Sequence, residues 1–197
     1  KALNQLCEHA LLYGYTHIIT LDQDSVCPKG MLRQYRNWVD TPGIGIVCPV
    51  IRDRNHKLGK TKFEEAYSEV DHCITSGSMV LLSAWKEING FDESMFIDGV
   101  DFDFCVRIQK HNYKIIRDNS VVLLHEIGHI QVRLFFLWKV QVKNHSPFRK
   151  YYIARNTVYL ARKKGRSFLI IKSYLQVLKQ AAIVLLYEKE KREKIQK

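Results

Sequence analysis

THIITLDQDS, residues 16–25, is the stretch from which the rest of the chain can be read. An apolar run, Ile18, Ile19, Thr20 and Leu21, stops at two carboxylates one residue apart, Asp22 and Asp24, with the hydroxyl of Ser25 beside them. β-Branched residues with an abrupt polar stop predict a buried, central strand ending at an active edge, because open α/β sheets bind ligands beyond the carboxyl ends of their strands. Two carboxylates this close repel, and a cation is needed to keep both ionised. Few, hard oxygen donors suit Mg²⁺ or Mn²⁺, with coordination positions left over for phosphate oxygens. The competing reading is a solvated acidic turn after a strand, since Asp-x-Asp alone is a weak motif.

The flanks of this stretch alternate helix and strand. Residues 1–14 set Leu3, Leu6, Ala10 and Tyr13 at helical spacing, and Gly14 stops them. Pro28 and Gly30 open a second amphipathic helix reaching about Val39, and residues 44–51 read as the next buried strand after Thr41-Pro42-Gly43. Residues 52–62 form a polar, basic loop. Residues 73–83, CITSGSMVLLS, are strand-like but interrupted by Ser76-Gly77-Ser78. A glycine between hydroxyl residues marks close approach of the backbone, either to another strand or to a ligand, and both readings stand. A short helix at 85–88 ends at Asn89-Gly90.

Residues 91–107, FDESMFIDGVDFDFCVR, crowd Asp98, Asp101 and Asp103 around Gly99, where a helix begins. A helix N-terminus favours one or two acids through its dipole. Three after an apolar run suggest a functional rim, on which a shielded carboxylate can act as general base. Two short strands follow, 113–116 and 121–124, around a polar Asp118-Asn119 turn, and the second runs into HEIGH, residues 125–129. A histidine at a strand end is ordinarily structural, but a neutral imidazole in this setting can complete a carboxylate-bound metal or donate to a phosphate. Residues 132–142 alternate as one strand, with Val132, Leu134, Phe136, Trp138, Val140 and Val142 on one face; the aromatic and basic content also suits a surface that touches lipid. From Pro147 the chain turns helical as far as Gly165. Residues 168–187 then place Phe168, Ile171, Leu175, Leu178, Ala182 and Leu185 in one stripe, an interfacial or packing helix rather than a spanning one, before a charged end that frays.

The whole chain sets bounds on these readings. Its 197 residues can bury a core and amount to one domain or one and a half. The net charge of +11 predicts attraction to polyanions, whether nucleic acid, an anionic membrane or phosphorylated small molecules. Lys and Arg are dense from Arg133 onward and carboxylates concentrate before Asp118, which suggests an acidic catalytic part and a basic docking part. No nucleic-acid-binding motif accompanies the charge. The five cysteines are odd in number and contain no C-x-x-C pair, which predicts buried free thiols in a reducing cytoplasm and speaks against zinc. No signal peptide opens the sequence, and no uninterrupted apolar run reaches the about 20 residues of a spanning helix, so a soluble or peripheral protein is expected.

Taken together, LDQDS at 21–25, TSGS at 75–78, GFDESMFIDGVDFDFCVR at 90–107, LLHEIGH at 123–129 and SPFRKYYIARN at 146–156 resemble the family-two glycosyltransferases, and within them bacterial rhamnosyltransferases. The motifs occur in family order across most of the chain. The resemblance implies an α/β fold of GT-A type, a mixed sheet flanked by helices, here without the N-terminal half that holds the nucleobase and ribose. It also implies a divalent metal, Mg²⁺ or Mn²⁺, on Asp22 and Asp24 with His125 near it, and Asp101 as catalytic base. Val100 stands where the family has a glutamate, and Asp98 supplies the neighbouring acid. Arg155 matches a family position whose basic group faces the donor diphosphate. Ser76, Gly77, Asp98 and Asp103 are expected at the acceptor or behind the reacting groups.

The implied reaction moves a sugar, L-rhamnose from dTDP-rhamnose in the closest reading, from a dTDP- or UDP-linked donor to a hydroxyl of a polysaccharide or lipid-linked acceptor, with inversion. Asp101 takes the hydroxyl proton, and burial beside Asp98 and Asp103 is expected to raise its pKa. Residues 1–165 form the catalytic part and residues 166–197 a basic amphipathic helical tail. The protein is expected in the cytoplasm, peripheral on the inner face of the cell membrane, with no nucleic-acid partner. As a truncated piece it is not expected to transfer sugar efficiently alone. Two rivals remain open to the sequence. A haloacid-dehalogenase-like phosphatase would use Asp22 as nucleophile, but the later acids here open a helix instead of following a strand. A non-enzymatic basic module would only dock on membranes.

Overall fold

The computed structural model describes residues 1–54, 63–126, 131–135 and 138–196. Most of the expected 52–62 loop, positions 127–129 of the histidine cluster and Phe136 lie outside the described residues. The chain divides into two compact units, Lys1–Glu93 with Val100–Ile127, and Ser94–Gly99 with Gly128–Lys197.

The first unit is a mixed α/β sheet sandwich. Its elements in chain order are α1 (Ala2–Leu12), β1 (His17–Ile19), α2 (Met31–Arg36), β2 (Ile44–Asp53), β3 (Tyr67–Glu69), β4 (Met79–Leu81), α3 (Leu82–Glu87), α4 (Val100–Lys110) and β5 (Lys114–His125). The sheet order is β1-β4-β2-β5-β3, with β2 parallel to β5 and the other pairs antiparallel. Central β2 is apolar and buried over most of its length, as a strand covered on both faces must be. Ile46, Cys48, Val80, Leu82, Trp85, Phe104 and Ile108 belong to one core cluster, and Met31, Tyr35, Val47, Met79 and Ile116 to another. Ile18 packs on the first and Ile19 on the second, so the apolar run before Asp22 serves both faces. Among the described residues that run is nevertheless an edge strand of this sheet, half-buried and paired with β4, not the central strand expected. Covering both faces makes an edge strand look like an inner one in sequence.

β5 corrects a second expectation, because it runs as one strand of 12 residues where two were read around a turn. Asp118 is buried, and its carboxylate accepts Trp38 Nε1–H at 2.9 Å, the Ser120 amide at 3.0 Å and the Ser120 hydroxyl at 2.6 Å. The ladder with β2 passes from Pro49↔Asp118 directly to Val50↔Val122, so the polar residues are absorbed in a bulge that continues the strand. The cysteines are free; Cys7, Cys48 and Cys105 are buried as expected, whereas Cys27 is exposed. Burial holds the Cys7 thiol up at about 11.

The second unit holds β6 (Gln131–Phe135), β7 (Trp138–Val142), α5 (Pro147–Lys163), α6 (Ser167–Tyr187) and α7 (Lys191–Gln196). The single strand expected over 132–142 is a pair of antiparallel strands with Arg133 opposite Val140 and Val132 opposite Gln141. Antiparallel partners share a face, so this register puts even positions of β6 with odd positions of β7. The strict alternation therefore splits: Val132 and Leu134 are exposed while Val140 and Val142 are buried. α5 begins at Pro147, and the hydroxyl of its N-cap, Ser146, accepts the Arg149 amide at 3.3 Å. α5 packs on α6 and α7.

Asn156 on α5 organises the segment Ser94–Gly99. Its Nδ2 lies 2.8 Å from the carbonyls of Met95, Ile97 and Asp98, so two N–H groups serve three acceptors. They hold a backbone with Phe96, Asp98 and Gly99 in the left-handed region, and a Cβ on Gly99 would come 3.0 Å from Met95 Cε.

A buried ion cluster closes this unit. The Glu188 carboxylate is fully buried between Lys150 Nζ at 2.6 Å and Lys194 Nζ at 3.2 Å. Burial alone would disfavour its charge, but the hydrogen bonds and charges of the two lysines win and hold its pKa below the ordinary 4.5. Glu188→Gln is expected to cost about 3 kcal/mol at neutral pH, because Lys194 is left buried without its counter-charge. A depressed carboxylate pKa contributes stability above the unfolded value that fades as pH falls through the folded value. Urea denaturation of both proteins should therefore show a gap that is full above about pH 5 and narrows below 4.5.

Candidate functional site

Since β1 is antiparallel to β4, β4 to β2, and β2 parallel to β5, the strands β1, β2 and β5 all run the same way. Their carboxyl ends share one edge of the sheet, the edge at which such folds bind ligands. Asp22 and Asp24 follow β1, and His125 is the last residue of β5, paired with Asp53 at the end of β2.

The loop after β1 is pinned on both sides. Gly77 N–H donates to Thr20 O at 2.7 Å, Thr20 Oγ1 donates to Thr75 O at 2.9 Å, and Asp22 N–H donates to Ser76 Oγ at 3.0 Å. A tight turn follows, with Ser25 N–H on Asp22 O at 3.0 Å, and Val26 N–H then donates to Leu124 O at 2.8 Å, stitching the loop to the end of β5. These bonds bring residues about a hundred positions apart together. Ser25 Oγ lies 2.7 Å from Ser76 Oγ and 3.0 Å from His125 Nδ1, and Nδ1 lies 3.2 Å from Asp24 Oδ1. Ser76 Oγ accepts from Asp22 N–H and lies beside Ser25 Oγ, which in turn lies beside Nδ1, so the two hydroxyls link the acidic loop to the imidazole.

The donor set fits a cation. Ligand atoms of Asp22, Asp24 and His125 lie within 4.8 Å of one another, and atoms bound to one small ion at about 2.1 Å lie up to about 4.2 Å apart. Asp22 is the exposed member of the three, while Asp24 and His125 are half-buried. Among the described residues, Asp24 Oδ1 is buried and makes no hydrogen bond, even with the imidazole 3.2 Å away. A buried carboxylate oxygen left without a partner is costly unless something else satisfies it. The three residues therefore form a group able to hold a metal ion.

The Ser76-Gly77 interruption proves to be a close approach between elements of the sheet. Ser76 is buried beneath the acidic loop, and Gly77 has φ +76° with no room for a side chain: a Cβ would lie 2.8 Å from both Pro49 Cγ and Leu123 Cδ2. Tyr35 caps its carbonyl at 2.7 Å, and burial pushes that phenol far above its ordinary value, so it stays a donor.

Asp101 stands in the first turn of α4, half-buried, in a narrow crevice with Thr75, Ser78, Phe104 and Cys105. The acids expected to crowd it are each matched by an arginine instead. Asp103 is buried on Arg107, whose Nε lies 2.7 Å away and whose Nη1 also donates to Ile88 O. Asp98 takes a bidentate bond from Arg149, 2.9 Å on each oxygen. The Arg155 guanidinium donates through Nη1 to Ser94 O at 2.7 Å and Asn156 Oδ1 at 2.8 Å, bracing the Ser94–Gly99 segment. Arg149 and Asn156 carry structure that residue reading passed over. A polar residue on the buried side of α5 was the available signal for Asn156.

Comparison with known proteins agrees with this architecture. Glycosyl transferase family group 2 matches residues 17–136, a span that includes the acidic loop, the Ser76 crossing, α4 and His125. The dTDP-rhamnosyl transferase RfbF of Shigella flexneri is 26% identical over 218 residues, covering all of this chain and 71% of that protein. The crystal structure of S. aureus TarS 1-349 in complex with UDP-GlcNAc superposes with a TM-score of 0.56 at 11% identity, over 98% of this chain and 58% of that one. The chain thus spans little more than half the length of the TarS structure, and the likeness is one of fold. A mixed sheet of GT-A type, acids and a histidine gathered at its carboxyl edge, and a family match over most of that unit agree with one another: the chain belongs to the family 2 glycosyltransferases.

Proposed function

We propose that this chain transfers a sugar from a nucleotide-sugar donor to an acceptor hydroxyl with inversion. The observation that carries the reading is the buried, unpartnered Asp24 Oδ1 facing His125 at the shared strand end, inside the family match. Asp22, Asp24 and His125 would hold a Mg²⁺ or Mn²⁺ ion, which supplies positive charge against the donor diphosphate. Ser76 and Ser25 fix the loop and the imidazole, so the donor atoms are oriented before the substrate arrives. Asp101 accepts the acceptor hydroxyl proton as the oxygen attacks the anomeric carbon opposite the departing nucleoside diphosphate. Family membership displaces the phosphatase reading of Asp22.

The Shigella relative, a dTDP-rhamnosyl transferase, favours dTDP-L-rhamnose as donor, and the acceptor in this reading is a saccharide, free or lipid-linked. Release of nucleoside diphosphate from dTDP-rhamnose, UDP-rhamnose and UDP-GlcNAc, each with Mn²⁺ and a rhamnose-containing oligosaccharide, tests this. dTDP-rhamnose is expected to give the fastest release by at least about tenfold. Faster release from UDP-GlcNAc would overturn the rhamnosyl assignment, and only a ratio of rates is required.

A further inference from the structure

α6 has two apolar faces, and among the described residues only one of them is covered. Ser173 and Val184 are buried and Val177 half-buried on the side where the helix packs against α5 and β7. On the opposite side Phe168, Ile171, Leu175, Leu178, Ala182 and Leu185 repeat at alternating steps of three and four, and the five large ones are between 53% and 72% exposed. One hundred degrees per residue puts these six within about a quarter of the circumference, centred opposite Ser173. The stripe extends over about 27 Å at 1.5 Å per residue. Soluble surfaces rarely leave so long an apolar row uncovered.

The charges around the stripe select what covers it. α6 contains no acidic residue, and its two charged side chains, Lys172 and Lys179, lie a heptad apart along one flank, both exposed. A second copy pairing through an antiparallel seam would set these lysines against their counterparts, where self-pairing helices place opposite charges. Exposed Arg162 and Arg166 extend the positive charge past the start of the helix, and past its end exposed Lys189, Lys191 and Arg192 outnumber exposed Glu190 and Glu193. An apolar stripe bordered by cations at its flank and ends matches the acyl boundary and anionic headgroups of a lipid bilayer. The helix is long and apolar enough to span, with mean hydropathy 1.5 over its best window. Spanning would strip its inner face from α5 and β7, whereas lying in the interface keeps that packing.

We propose that the outer stripe of α6 docks the protein on an anionic lipid surface, with the helix in the plane of the membrane. This stands apart from the reading of the acidic strand end and does not depend on it. The test is flotation of the full 197-residue chain with vesicles of phosphatidylcholine alone and with about one-third phosphatidylglycerol. Two variants accompany the wild type. The triple change Ile171→Gln, Leu175→Gln and Leu178→Gln removes the apolar row without altering charge, at exposed sites where circular dichroism should remain that of the wild type. The double change Lys172→Glu and Lys179→Glu reverses the flank. Binding to the anionic vesicles is expected to fall at least about tenfold in the triple variant and to lose its preference for phosphatidylglycerol in the double one. Unchanged binding by the folded triple variant would overturn the proposal, because general basicity would then suffice. Failure of the wild type to bind would overturn it too, as would a dimer in sedimentation velocity that the triple variant abolishes without any vesicle binding.

Discussion

Asp101→Asn is expected to lower the rate of sugar transfer by about 10²–10⁴-fold while leaving nucleotide affinity within about twofold. Asparagine keeps the size and polarity of the side chain and is tolerated in a first helical turn, but it cannot take a proton from an attacking hydroxyl. Asp101 stands in the first turn of α4, half-buried beside Thr75 and Ser78. Its neighbour provides the contrast. Asp103→Asn breaks a buried pair with Arg107, so its effect should appear in stability, not selectively in turnover. Steady-state rates beside urea denaturation for both variants separate the two roles. Full turnover in Asp101→Asn would assign the base to another group.

Asp24→Ala is expected to remove at least about 100-fold of the affinity for Mn²⁺ and with it the metal-dependent part of nucleotide binding. The reason lies in what Asp24 does not do for the fold. Its Oδ1 accepts no hydrogen bond, whereas the loop is held by Ser76, Ser25 and backbone bonds to Thr20 and Leu124. Losing the carboxylate should therefore leave stability within about 0.5 kcal/mol. Ser76→Ala should behave oppositely, loosening Asp22 and Ser25 together. An Asp24→Ala protein that unfolds more easily but binds Mn²⁺ normally would mean that the acid is a loop-forming residue.

Much of the first unit was legible because its signals are local. The helix at the start, the long apolar β2, the acidic stop after β1 and the helix opening at Asp101 each write their period or their breaker into adjacent residues. The errors came where pairing decides. Nothing local distinguishes β1 as an edge strand when Ile18 and Ile19 are both covered by core clusters. Asp118-Asn119 has turn composition, but Trp38 and Ser120 satisfy the buried carboxylate and the strand carries on through a bulge. The alternation over 132–142 looked like one strand because a hairpin register that swaps odd and even positions leaves no trace in a list of apolar residues. In the site, the residue types and the trio Asp22, Asp24 and His125 as candidate metal ligands were readable from the sequence, and their meeting was not. His125 reaches Asp24 through Ser25 and the bridge from Val26 to Leu124, a contact across about a hundred residues. The arginine partners of Asp98 and Asp103 were equally hidden.

Isothermal titration of dTDP, UDP and GDP, with and without Mn²⁺, into the wild-type chain and into the Asp22→Ala, Asp24→Ala double variant tests the central claim most directly. The account predicts binding that requires Mn²⁺ in the wild type and disappears in the double variant. Nucleotide binding that is indifferent to Mn²⁺, or that survives loss of both carboxylates, would contradict it.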